Sequence, residues 1–105
     1  MINELRKRLE SYSLKIDDEK IELLRKFYLF LKETNEKINL MARRNFDRTF
    51  LSLVFQSIWA GSKIMRFNSL IDVGSGAGFP GIPIKIYWQS IKVYLIEPKK
   101  KKVNF

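Results

Sequence analysis

The sequence contains neither cysteine nor histidine. The first absence excludes disulfides and thiolate metal sites. The second removes the commonest metal ligand and the commonest general base, so any chemistry must run without both. No apolar run approaches the ~18 residues of a membrane span, and the opening stretch, Met1-Ile-Asn-Glu-Leu-Arg-Lys-Arg8, lacks the uninterrupted apolar segment of a signal peptide. A cytoplasmic protein without membrane contact is expected. Glycine and proline number only five and three, and no Pro/Gly/Ser-rich linker divides the 105 residues, so one domain is expected.

What is present is a chain 46 % hydrophobic and 30 % charged, richer in Ile, Leu, Val and Phe than disordered segments are. It should fold around a core. The net charge of +9 is unevenly placed: residues 1–41 carry nine Lys/Arg against eight Asp/Glu, whereas residues 42–105 carry eleven against three. A basic excess attracts polyanions, nucleic acid above all, because neutralising phosphates releases counterions. Lysine-rich surfaces also arise without such a partner, and charge alone leaves both readings open.

Ile2, Leu5, Leu9 and Tyr12 recur at three- and four-residue steps and predict a short amphipathic helix. A second helix is predicted over 18–37, capped by Asp17 or Asp18, with Ile21, Leu24, Phe27/Tyr28, Leu31 and Ile38 along one face. Residues 46–66 repeat the pattern through Phe46, Phe50, Leu53/Val54, Ser57/Ile58, Gly61 and Ile64/Met65, with a kink expected near Gly61. These stripes are core, because a small helical layer has little else with which to bury surface. At Ser69 the period changes. Residues 69–73 and 91–96 read as strands, and 79–88 between them has room for about three helical turns, with Pro80 and Pro83 in or near the first. The order strand, helix, strand predicts a right-handed parallel crossover and an α/β fold: residues 1–66 helical, 67–105 opening a β-α-β unit.

At the centre stands Asp72-Val73-Gly74-Ser75-Gly76-Ala77-Gly78, where the first strand gives way to the helix. Glycines there serve a turn too tight for a side chain, close approach of backbone to a ligand, and close packing of helix on strand. The turn amides and the helix N-terminus would favour a hydrogen-bond-accepting or anionic group. Glu97 follows the second strand 19 residues after Gly78, where doubly wound folds place the carboxylate that accepts from a ribose diol. The spacing Gly-x-Gly-x-Gly with Phe79 next differs from the dinucleotide fingerprint, and no Gly-Lys-Ser/Thr follows, which excludes a P-loop. A nucleoside-type cofactor is the favoured reading, and a sheet protein with a glycine turn and a chance acid is the alternative.

The segment 70–84, Leu-Ile-Asp-Val-Gly-Ser-Gly-Ala-Gly-Phe-Pro-Gly-Ile-Pro-Ile, resembles the first motif of class I S-adenosylmethionine methyltransferases. Its Gly-Phe-Pro-Gly-Ile-Pro ending is similar to the glucose-inhibited division protein B family, the 16S ribosomal RNA guanine-N7 methyltransferases. Asn35-Glu-Lys-Ile-Asn-Leu40 resembles that family's Asn-x-x-x-Asn-Leu signature, and Glu97 with Lys101-Lys102-Val-x-Phe105 resembles its second motif. The chain departs from the pattern where His-x-x-Asp-Ser gives way to Thr49-Phe50-Leu51-Ser52-Leu53 and where Thr gives way to Met41.

The resemblance implies a helical N-terminal layer followed by the first β-α-β unit of a Rossmann-like fold, incomplete because the family runs to roughly twice this length. By the same resemblance Gly74, Ser75, Gly76, Gly78 and Phe79 line S-adenosylmethionine, Glu97 holds its ribose, and Lys101 and Lys102 face the RNA or cofactor side of the helix that follows, a solvated helix start being the alternative for Lys99 to Lys102. Arg43 and Arg44 are candidates for gripping RNA phosphates. Arg48, Lys63 and Arg66 are further candidates for gripping phosphate, and a helix is expected over 98–105. No residue stands out as catalytic. The implied protein is a monomer that modifies the small ribosomal subunit's RNA, or else an inactive RNA-binding remnant or fragment.

Overall fold

The computed structural model describes residues 1–64, 68–73 and 76–96, together with the backbone of 103–104. Along them run α1 (Ile2–Glu10), α2 (Asp18–Lys37), α3 (Phe46–Lys63), β1 (Ser69–Val73), α4 (Gly81–Tyr87), β2 (Lys92–Ile96) and β3 (Val103–Asn104). Helix α1 buries Ile2, Leu5 and Leu9 and ends before the expected fourth position. Tyr12 lies past its end, exposed, with its ring 5.3 Å from that of Phe55.

Of the two candidate caps for α2, Asp17 is the one used: its carboxylate accepts from the Lys20 amide at 2.9 Å and satisfies one of the helix's open first-turn donors. Ile21, Leu24, Phe27 and Leu31 are buried as their spacing requires. Ile38 is not. It closes α2 with an extended backbone at φ −135°, which takes its side chain off the helical stripe and leaves it exposed. One turn earlier the buried side chain of Asn35 accepts from the amides of Leu40 and Met41, both at 2.7 Å, and donates to the Met41 carbonyl at 2.9 Å. The Asn-x-x-x-Asn-Leu signature is therefore a helix-exit clamp. Its hold on residue 41 is through the main chain, so Met in place of Thr leaves it intact.

Helix α3 runs through Gly61 to Lys63. Gly61, where a kink is expected, meets a packing need: a Cβ there would lie 2.6 Å from the Trp88 ring. Phe27, Phe46, Phe50 and Tyr28 meet in tilted and edge-on pairs, Phe46 and Phe50 being stacked, and Phe79 joins them at 5.5 Å from Phe27 and 6.0 Å from Phe50. Helix α4 then bridges two apolar clusters. Ile82, Ile86, Tyr87 and Trp88 pack against the helical core, while Ile84 is buried with Ile91, Val93 and Leu95 against the strands.

The strands run in the order β1-β2-β3, with β1 and β2 parallel in the register Ser69↔Lys92 to Val73↔Ile96, as the crossover pattern requires. The helix expected over 98–105 is contradicted at residues 103–104. These extend antiparallel beside β2, Leu95 opposite Val103 and Tyr94 opposite Asn104. Two physical reasons favour the strand: four consecutive lysines at 99–102 would oppose the dipole of a helix starting there, and the outer edge of β2 offers unpaired backbone groups to a β-branched residue.

Removing the Asn35 amide in Asn35→Ala should lower stability by about 2–3 kcal/mol, because two main-chain donors and one acceptor lose their partner together; urea denaturation measures it. Tyr87 donates to the Lys15 carbonyl at 2.6 Å, and burial, with Asp17 second, holds its pKa above the ordinary 10.0. The unfolded chain thus ionises this phenol first as pH rises. Its stabilising contribution is complete below pH 10.0 and disappears as pH climbs through the raised folded-state value. Urea midpoints at about pH 8 and about pH 11 should show a smaller alkaline loss in Tyr87→Phe than in the parent chain.

Candidate functional site

The joint between β1 and α4 is organised by an acid set inside an apolar strand. Asp72 is buried on the α4 side of β1, and its Oδ2 accepts from the Gly81 amide, the first of α4, at 2.9 Å. The other first-turn groups of α4 are also accounted for. Ile82 donates to the Gly78 carbonyl at 2.8 Å, Pro83 has no N–H, and Ile84 donates to the Pro80 carbonyl at 3.3 Å. The expectation that this helix N-terminus receives a ligand is thereby corrected. The protein's own carboxylate and carbonyls already occupy it.

Within that turn the glycines divide their tasks differently from the expectation. Gly76 sits at φ +57° with nothing within 4 Å of where a Cβ would be, so it combines a left-handed backbone with open space above it. Gly78, at φ +95°, would place a Cβ 2.5 Å from Ile82 Cδ1. Close packing of helix on strand belongs to neither. It falls to Gly81, where a Cβ would lie 2.6 Å from Leu95 Cδ2, 3.0 Å from Asp72 Oδ2 and 3.1 Å from Val93 Cγ1. Asp72 and Gly81 are thus the residues that residue-type reasoning passed over; a lone acid within the apolar run 70–73 was the available signal.

Of the residues expected to line a cofactor, Gly76, Gly78 and Phe79 lie together on the turn, although the Phe79 ring is spent largely on the Phe27 and Phe50 cluster. Gly74, Ser75 and Glu97 lie outside the described residues, as do Lys101, Lys102 and Arg66. Beside Phe79 and Pro80 is a recess of about 260 Å³ whose other walls are Leu53, Gln56, Ser57 and Ala60 of α3. Leu53 stands where the resembled family carries Ser, which makes this recess more apolar than the pattern would.

The basic candidates are separated. Arg43 donates to the Glu36 carbonyl at 2.9 Å and the Asn35 carbonyl at 3.5 Å, capping the exit of α2 with a cation where the helix dipole favours one. Arg44 is exposed. Arg48 lines a separate recess with Met1, Glu4, Arg8, Asp47, Leu51 and Ser52, and the Lys63 ammonium lies 5.4 Å from the Trp59 ring. Among the described residues no cluster of three or more acidic groups could hold a metal, and no helix is long and apolar enough to cross a membrane.

A parallel strand pair joined through a glycine turn and a helix, with Asp72 of the strand bonded to the helix start, is the arrangement of an open α/β fold, a class in which ligands bind beyond the strand ends. The chain belongs to the GidB family, rRNA small subunit methyltransferase G, whose model matches residues 20–105. Relatives named ribosomal RNA small subunit methyltransferase G agree. The one from Dictyoglomus thermophilum is 39 % identical over 103 residues, 96 % of this chain and 43 % of the relative. That from Caldanaerobacter subterraneus subsp. tengcongensis is 42 % identical over 87 residues, 81 % of this chain and 36 % of the relative. The Exiguobacterium sibiricum protein is 35 % identical over 99 residues, 92 % of this chain and 42 % of the relative. The chain therefore spans less than half the length of these relatives. No solved structure matches it significantly.

Replacing Asp72 with Ala should lower stability by about 2 kcal/mol and loosen the turn, while Asn, which keeps an acceptor, should cost less. Gly81→Ala should cost about 1–3 kcal/mol by forcing Leu95 and Val93 aside. Chemical denaturation of the three variants ranks them.

Proposed function

We propose that this chain is the cofactor-binding front of an S-adenosylmethionine-dependent enzyme that methylates N7 of a guanine in 16S ribosomal RNA, acting as a monomer in the cytoplasm. Family membership supports the reaction class, and the relatives' printed name supports the RNA substrate. The observation that carries the choice of cofactor is the division of labour at the β1–α4 joint. Every first-turn amide of α4 is taken or missing, while a Cβ at the left-handed Gly76 would meet nothing within 4 Å, which leaves room for a ligand beside the turn. A pyrophosphate would need those amides. S-adenosylmethionine carries no phosphate; it presents a ribose, an adenine and an amino-acid end that a glycine turn can approach.

On this reading the backbone of Gly74, Ser75, Gly76 and Gly78 and the edge of Phe79 line the cofactor, and the Glu97 carboxylate accepts from its ribose hydroxyls. Arg44, Lys101 and Lys102 meet RNA phosphates, joined by the donors of Arg43 that the α2 exit leaves free. Bound S-adenosylmethionine supplies a methyl group that leaves its sulfonium, with the S–C electron pair staying on sulfur, as the N7 lone pair forms the new bond. The chain's own residues have no proton to move, because N7 carries none, and a sequence without His or Cys lacks nothing the step requires. Their contribution is alignment, for which effective molarities of ~10⁵ M or more are attainable. Since N7 faces the deep, narrow major groove of A-form RNA, the target base has to be presented from a loop or splayed out.

Calorimetric titration with S-adenosylmethionine should give saturable heat, abolished in Gly76→Arg, whose circular dichroism should show the helices retained. A parallel titration with a 16S RNA fragment separates the alternative. Salt-sensitive RNA binding with no cofactor heat would replace the enzyme reading with that of an RNA-binding remnant, and silence in both would contradict either.

A further inference from the structure

Arg48, Ser52, Phe55, Trp59 and Lys63 follow one another along α3 at steps of three and four residues and so lie in one line on the helix surface. Helix α1 crosses beside that line. Its Arg8 guanidinium sits over the Phe55 ring at 4.1 Å, and the Tyr12 ring, just past the helix end, tilts against Phe55 at 5.3 Å. Phe55 is buried beneath them, whereas Tyr12 and Trp59 face solvent, 56 % and 39 % exposed. At one end Arg8 and Arg48 open onto a recess of about 550 Å³. At the other the Lys63 ammonium lies 5.4 Å from the Trp59 ring. Cations and aromatic rings thus alternate over about 22 Å, the helical rise from Arg48 to Lys63.

The fold does not use these cations. Among the described residues no ion pair engages Arg8, Arg48 or Lys63. Of the two carboxylates at the recess, Asp47 is already engaged, by the Tyr28 hydroxyl at 2.5 Å and the Lys32 ammonium at 4.0 Å, which leaves Glu4 against two arginines. A protein partner or a second copy would suit an apolar stripe. Rings with a cation beside each, on a chain of net charge +9, suit a polymer that offers π faces and phosphates together. Duplex RNA fails that requirement, because its bases are stacked away from side chains. A single strand meets it. An exposed cation–π contact is weaker than the stacking of a base, so an incoming base displaces the Lys63 ammonium from the Trp59 ring and frees it for the adjoining phosphate.

We infer that this α1–α3 stripe binds single-stranded RNA, with bases stacked on Trp59 and Tyr12 and phosphates held by Arg8, Arg48 and Lys63. The stripe is distinct from the β1–α4 turn, since the α3 residues beside Phe79 and Pro80 are Leu53, Gln56, Ser57 and Ala60, none of them in the line. The inference deepens the RNA part of the proposed function and rests on it, and is independent of the cofactor reading.

The test follows the fluorescence anisotropy of a labelled single-stranded oligoribonucleotide of about ten nucleotides, and separately of a 16S RNA fragment, titrated with the 105-residue chain without cofactor across a salt series. Trp59→Ala should weaken binding of the oligonucleotide at least about fivefold without changing the salt dependence, and Trp59→Phe should recover most of the loss. Arg48→Gln/Lys63→Gln should instead flatten the slope of log affinity against log salt by about 1.4, two phosphates at ~0.7 each. Lys92→Gln, on β2, should do neither, and circular dichroism of every variant should match the parent chain. Binding indifferent to either replacement, preference for a duplex of the same sequence, or a homodimer dissolved by Trp59→Ala would each overturn the inference. Failure to bind the oligonucleotide while the 16S fragment still binds overturns the inference alone, and failure to bind both overturns the RNA reading with it.

Discussion

A carboxylate oxygen of Asp72 lies 2.9 Å from the amide of Gly81, and much of the site's form follows from that contact. It ties the end of a strand to the start of a helix nine residues later in the chain. Within the intervening segment the described residues 76–80 form a turn, and Gly76 and Gly78 take positive φ. The same contact requires residue 81 to be glycine, because any Cβ would strike Leu95, Val93 and the carboxylate itself. A buried carboxylate in such a place is tolerable because it accepts a hydrogen bond from a helix's first amide, where the backbone dipole also favours negative charge.

On the proposed reading, that arrangement bears on the kind of ligand that lies beside the turn. In folds that bind dinucleotides the helix N-terminus is left to the pyrophosphate. Here Asp72 and the Gly78 and Pro80 carbonyls take the donors, and Pro83 removes one more. A Cβ at Gly76 would meet nothing within 4 Å, and on the proposed reading that space receives a nucleoside ligand with no phosphate. Helix α4 carries this turn on one side and joins the two apolar clusters on the other, so the helices of the N-terminal part help to hold the turn in position.

Much of the fold was legible in the sequence because burial and periodicity agree over long stretches. The stripe Ile21, Leu24, Phe27, Leu31 specifies α2, and the change of period at Ser69 marks the strands. The misreadings have local causes. Tyr12 and Ile38 continue a numerical spacing past the point where the helix has ended, and spacing cannot register that a backbone has left the helical region. Gly61 and Gly81 are small because of side chains distant in sequence, Trp88 for one and Leu95 and Val93 for the other, so their roles are visible only in three dimensions. The two-residue strand at 103–104 depends on the open edge of β2, a partner that no local pattern announces. At the site, the glycine run announced the turn, whereas the reason it is a turn, the buried Asp72, is a long-range fact.

The central claim is that the turn is pinned before any ligand arrives, and hydrogen exchange at the Gly81 amide tests it most directly. In the ligand-free chain, NMR-detected exchange of this amide should be slowed toward the rate set by global unfolding, in step with the amides of β2. Exchange as fast as that of an unprotected loop amide would mean that the Asp72 contact does not hold the turn, and the account built on it would fail.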